Sequence, residues 1–157
     1  MSLNEKMPTD TKGVLAMLVR QTNALTALLI TKEGTVISEA GDTRSLNTTA
    51  MAALVAGMFS ATREVARMVG EKQFSILLQQ GEQRHIHISL VTDSTMMVIV
   101  FEDYKRIGKV RHEARRAGEA LAQRLKEEKR GLADDISVPQ FKEYALNLID
   151  QIFTTSK

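Results

Sequence analysis

Few residues in this chain are equipped to do chemistry, and their spacing sets what each can do. His85 and His87 stand two apart in an alternating run, so both rings project from one face of a strand, and with His112 they offer three imidazoles to a metal ion. No carboxylate has a forced position beside them, so histidines on an exposed sheet face are the plainer reading and no metal is expected. Gly108-Lys109 lacks the preceding glycine and the following Ser or Thr of a phosphate-binding loop. Ser60, in Gly57-Met58-Phe59-Ser60-Ala61, lacks the second glycine of a nucleophile elbow and falls mid-helix rather than on a strained turn. Asp134 and Asp135 are adjacent in a linker and point apart, which suits capping or solvation rather than a cooperating acid/base pair. With 0 cysteines there is no thiol nucleophile, thiolate metal site or disulfide. The chain is read as a protein without an active site or cofactor of its own.

The elements that position these residues follow from periodicity. Val14, Met17 and Leu18 in Thr9 to Gln21 predict a first helix, capped by Thr9 or Asp10. The apolar run Ala24 to Ile30, the turn Lys32-Glu33-Gly34 and the alternating Thr35 to Ser38 predict a hairpin. A long helix follows from Leu46 to Gly70, with Ser45 or Asn47 as its cap. Phe74–Gln79, His85–Val91 and Met96–Phe101 then predict a three-strand antiparallel meander. Ile107, Val110, Ala114, Ala117, Leu121 and Leu125 give the next helix one apolar stripe to lay across the sheet. Residues 131–138 are expected to be a linker, and Pro139 to open a last helix with Phe141, Ala145, Leu148 and Ile152 aligned. The class is α+β, a five-stranded antiparallel sheet layered with helices. The division expected is a flexible start at residues 1–8, one domain over 9–130, and a linker with a C-terminal helix over 131–157.

The Leu46–Gly70 helix has more apolar sides than one core can use. Asn47, Ala50, Met51, Leu54, Met58, Ala61, Val65 and Met68 share one side, enough to seat it on its own sheet. Ala52, Val55, Phe59, Thr62 and Ala66 form a second stripe, and Ala53, Ala56, Gly57 and Ser60 leave the remaining flank nearly bare of bulk. Such a surface invites a partner. The whole chain, 157 residues with 43% hydrophobic and 25% charged, is long enough for one domain with an extra element and has the composition of a folded protein. No window approaches a membrane span and the first ten residues do not read as a signal peptide, so a cytoplasmic location is expected. The net charge of +2 is concentrated between Lys105 and Arg130, where bases outnumber acids. Little aromatic interleaving accompanies them, so a solvated helix face is preferred to a nucleic-acid or membrane surface.

Leu54-Val55-Ala56-Gly57, Ala61-Thr62 with Gly70-Glu71, Gln80-Gly81-Glu82, Val98-Ile99-Val100-Phe101, and Gly108-Lys109-Val110 with Arg115-Arg116-Ala117, in this order, resemble the roadblock/dynein light chain family over roughly residues 25–121. The resemblance is strongest to bacterial members that partner an MglA-like small Ras-like GTPase. It implies a profilin-like sandwich that dimerises through the long helix and the strand after it, in one continuous sheet. It also implies a GTPase-activating homodimer, in polarity or motility control, that repositions the GTPase's own catalytic residues, so neither Arg63 nor Arg67 need act as an arginine finger. On the wheel, Val55, Phe59 and Thr62 are then expected to face the sister helix. Ala53, Ala56, Ser60, Arg63, Glu64 and Arg67 are expected to meet the GTPase. A dimeric scaffold without effect on GTP hydrolysis is the alternative.

Overall fold

A computed structural model of the chain describes residues 6–134 and 139–153, with the side chains of 134 and 139–145 excepted. The first helix, α1 (Thr11–Thr22), starts where Asp10 accepts a hydrogen bond from the Gly13 N–H and ends at Asn23 in the left-handed conformation. Strands β1 (Thr26–Thr31) and β2 (Val36–Gly41) form the hairpin. The long helix α2 (Thr48–Met68) is capped by the Asn47 side chain on the Ala50 N–H. The meander is β3 (Ile76–Gln80), β4 (His85–Thr92) and β5 (Thr95–Phe101). A single 3-10 turn at Tyr104–Arg106 leads into α3 (Ile107–Asp134), and α4 (Pro139–Phe153) ends the described chain.

All pairings are antiparallel and the strand order is β2-β1-β5-β4-β3, so the central strand β5 joins the hairpin to the meander. Alternation sorts the side chains to two faces. On one, Leu29, Met97, Ile99 and Phe101 pack with Leu15 and Leu18 of α1 and Val110, Ala117 and Leu121 of α3. On the other, Leu28, Ile30, Ile88, Met96 and Val98 pack with Ala52, Val55, Ala56 and Phe59 of α2. The sandwich is helix, sheet, helix, with β2 and β3 as its free edges.

The β1–β2 turn also seats α2. Gly34 has φ +95°, and a Cβ there would stand 2.8 Å from the Ala53 Cα, so the turn lies directly against the helix backbone. Gly34→Ala is expected to cost about 2–4 kcal/mol by combining left-handed strain with overpacking, read as a lowered thermal midpoint.

Two expectations shift. The third helix runs through Gly131 to Asp134 instead of ending at Arg130, because Ala133 is buried and holds that last turn down. In α4, Ile149 is buried and Phe153 packs toward the main core, whereas Leu148 and Ile152 are exposed. The inward stripe is one residue later than the aligned set suggested, and Lys129 pairs with Asp150 across the junction with α3. The side chains of Phe141 and Ala145, the Asp134–Asp135 pair and residues 1–5 lie outside the described residues; Met7 already packs against the core.

Candidate partner-docking face of α2

The inner and outer sides of α2 are the reverse of the wheel assignment. Val55 is 4% exposed, Ala56 6% and Phe59 1%, all turned into the protomer's own sheet. Neither Val55 nor Phe59 has surface left for a sister helix, and Ala56 cannot meet a GTPase. Thr62 is half-buried, its hydroxyl bonded to the Phe59 carbonyl at 2.7 Å. The stripe assigned to the core faces solvent instead: Leu54 is 74% exposed, Val65 53% and Met68 85%. Met51 and Met58 lie at the boundary, half-buried against the sheet-side cluster.

This outer stripe runs Met51, Leu54, Met58, Ala61, Val65 and Met68, alternating steps of three and four, the pattern of a helix that pairs with another helix. Val69, just past the helix end, extends it. Beside it, Ala53, Ser60, Glu64 and Arg67 share a second exposed flank that is small and then charged, and Gly57 lies in the open between stripe and flank. Arg67 Nη1 pairs with Glu64 Oε1 at 2.7 Å on this flank, both side chains mostly in water. Arg63 is different: it follows Phe59 by one turn on the inner side, is half-buried, and its Nε is buried with no hydrogen-bond partner among the described residues. It lies close enough to Lys32 of the β1–β2 turn to help lower that amine's pKa, after burial, the larger cause.

The histidines do not gather into a metal site. The His85 Nδ1 accepts from the Gly81 N–H at 3.2 Å, and its ring sits against Phe101 and Tyr104. His87 is buried toward α3, and His112 is largely exposed beside Glu113. Among the described residues, no group of three His, Asp or Glu side chains is placed to hold an ion.

Residues 11–101, from the start of α1 to the end of β5, match the sequence profile of the Roadblock/LC7 domain. The chain belongs to the roadblock family. Its fold is similar to that of Myxococcus xanthus MglB, with a TM-score of 0.73 and 27% identity, covering 78% of this chain and 99% of that one. It is also similar to the gliding protein MglB of Thermus thermophilus, with a TM-score of 0.71 and 32% identity over 74% and 89% of the two chains. A third similar structure is described as MglB with tetrameric arrangement, at 31% identity and a TM-score of 0.72, covering 74% and 88%. Profilin IA of Acanthamoeba castellanii shares the fold at 12% identity, with a TM-score of 0.51 over 73% and 98%. Among proteins of curated function, none matches by sequence. Within the roadblock domain seen here, the outer side of α2 and the β3 edge, one of the two free sheet edges, are uncovered. The domain has no helix, among the described residues, long and apolar enough to cross a membrane.

Proposed function

We propose that this roadblock protein is a homodimeric regulator of a small Ras-like GTPase of the MglA type. It pairs through the outer stripe of α2 and the β3 edge, and receives the GTPase on the flank of Ala53, Ser60, Glu64 and Arg67. The likeness to MglB proteins supports the partner class, and the observation that carries the pairing is the exposed heptad stripe. Full burial of such a side chain is worth roughly 1.5–3 kcal/mol, of which Leu54 and Met68, at 74% and 85% exposed, forfeit most and Val65, at 53%, about half; a second copy recovers it. Adding β3 to β3 would join two five-stranded sheets into one and remove an open edge. The flank's small side chains let a partner backbone approach, while Glu64 and Arg67 set register by charge. No residue of this surface has to enter the reaction; the GTPase itself binds the metal and orients the attacking water, and the dimer acts by holding its mobile segments in the competent arrangement.

The test is single-turnover GTP hydrolysis by an MglA-type GTPase with and without the protein, paired with light scattering. Wild type is expected to be a dimer and to accelerate hydrolysis. The Leu54→Glu/Val65→Glu variant is expected to be a folded monomer that has lost the acceleration, and Ser60→Arg a dimer that has lost GTPase binding. Ala56→Arg would be the wrong probe, since it drives a cation into the sheet packing. Dimer formation with binding but unchanged hydrolysis would replace this reading with the scaffold alternative. A monomeric wild type would remove the pairing itself.

A further inference from the structure

On the face of the sheet opposite α2, the third helix lies over β4 and β5 and leaves β3 uncovered. The gap is a cavity of about 290 Å³, at the small end of ligand pockets. Ile76, His87 and Ser89 form its sheet wall. Its helix wall is the stripe Arg111, Arg115, Gly118 and Ala122, one residue per turn along α3. Two features distinguish it from a packing fault. His87 is 1% exposed, and neither ring nitrogen has a hydrogen-bond partner among the described residues, so a donor and an acceptor are held out of water unused. Arg111 and Arg115 stand over it without a carboxylate partner among the described residues. The one acidic lining group, Glu119, forms no ion pair with either and leaves the pocket with a net positive charge.

We propose that this cavity binds a small organic anion, with its carboxylate or phosphate on Arg111 and Arg115 and a short apolar body against Ile76 and the His87 ring. The guanidinium groups supply charge-assisted hydrogen bonds, and a further oxygen of the same carboxylate or phosphate accepts from the His87 ring N–H. A neutral imidazole is the form the site favours: burial first, and Arg111 second, hold the His87 pKa down to about 4. The cavity lies across the sheet from the α2 flank, so its occupant would not compete with a docked GTPase. Its β3 wall is continuous with the open edge, which puts a ligand within reach of any contact made there.

The proposal is independent of the GTPase reading and is tested on the full chain alone. Benzoate, phenyl phosphate, inorganic phosphate and neutral benzamide are titrated to millimolar concentration, following backbone amide and His87 ring resonances by NMR. Benzoate or phenyl phosphate is expected to give saturable shifts centred on Ser89, Val91, Gly118 and His87, and the tighter of the two identifies the headgroup. Saturation by inorganic phosphate at the same resonances would also support an anion site, with the apolar body dispensable. Arg111→Gln/Arg115→Gln is expected to weaken binding roughly tenfold or more. Gly118→Leu is expected to block it without unfolding the helix, since a Cβ at Gly118 meets nothing within 4 Å and leucine is the better helix former. No saturable shift, equal binding of benzamide, or undiminished binding by both variants would overturn the proposal.

Discussion

Phe59→Ala is expected to remove about 3–5 kcal/mol of folding stability, while Leu54→Ser, five residues away on the same helix, leaves the protomer within about 0.5 kcal/mol of wild type. The contrast follows from burial alone. Phe59 is the large side chain that α2 buries fully against the sheet, at 1% exposure among Leu28, Ile30, Ile88, Met96 and Val98. Its buried neighbours along the inner stripe are alanines and a valine, too short to fill the cavity its ring would leave, and the half-buried Met51 and Met58 at the boundary could fill it only in part. Against a typical total of about 5–15 kcal/mol, the loss is large enough to unfold a substantial fraction of molecules near body temperature. Leu54 touches solvent over most of its surface, so its loss is felt only where a second copy covers it. Urea unfolding at a series of protein concentrations separates the two effects. Phe59→Ala should lower the midpoint at every concentration. Leu54→Ser should instead abolish the concentration dependence that a dimer imposes on wild type. A midpoint unaffected by Phe59→Ala would mean that α2 seats on its sheet by some other face.

The same helix shows where sequence reasoning reaches its limit. Its existence, cap and approximate ends were legible, because Asn47, the long apolar periodicity and the Gly70 turn are local signals. Which apolar side turns inward was not. The inner stripe of Ala52, Val55, Phe59 and Ala66 is interrupted by Arg63, which makes it look wet, while the outer stripe carries the bulkier Leu54, Met58, Val65 and Met68 with no charge at all. Arg63 is only half-buried, so its long apolar stem can line the inner side while the guanidinium keeps part of its hydration, even with the like charge of Lys32 in the β1–β2 turn close by. The outer stripe is bulky because it is unspent within the protomer. In α4 the same ambiguity is one residue wide: Leu148 with Ile152 and Ile149 with Phe153 are equivalent i, i+4 pairs, and docking on α3 chooses the second. The strands fared better, since period two fixes the faces of β4 at once and put His85 and His87 on the same side. What alternation could not reveal is that α3 stops short of β3, which turns His87 from a metal candidate into the floor of a cavity beside Arg111 and Arg115.

His87 should also write its burial into the acid limb of the stability curve. In the unfolded chain a histidine titrates near pH 6.5, and in the folded protein His87 does so only at about 4. Between those values the unfolded state binds the extra proton and the folded state does not, so stability falls as pH is lowered through this window. Above about pH 6.5 both states are neutral at this position and the contribution is flat; below about 4 both are protonated and it is flat again. The full excursion is the pKa difference times 1.36 kcal/mol, about 3 kcal/mol. Carboxylates titrate in the lower part of the same range, so the comparison that isolates His87 is wild type against His87→Leu. The leucine variant keeps an apolar body of comparable reach, and removes a buried donor and acceptor without partners among the described residues. At neutral pH it should therefore be as stable as wild type or more so. On acidification its stability should decline less steeply, the two curves separating progressively from about pH 6.5 downward. Parallel curves would show that the His87 ring takes up its proton in the folded protein as readily as in the unfolded one, as it would if Arg111 swung out and water entered the cavity.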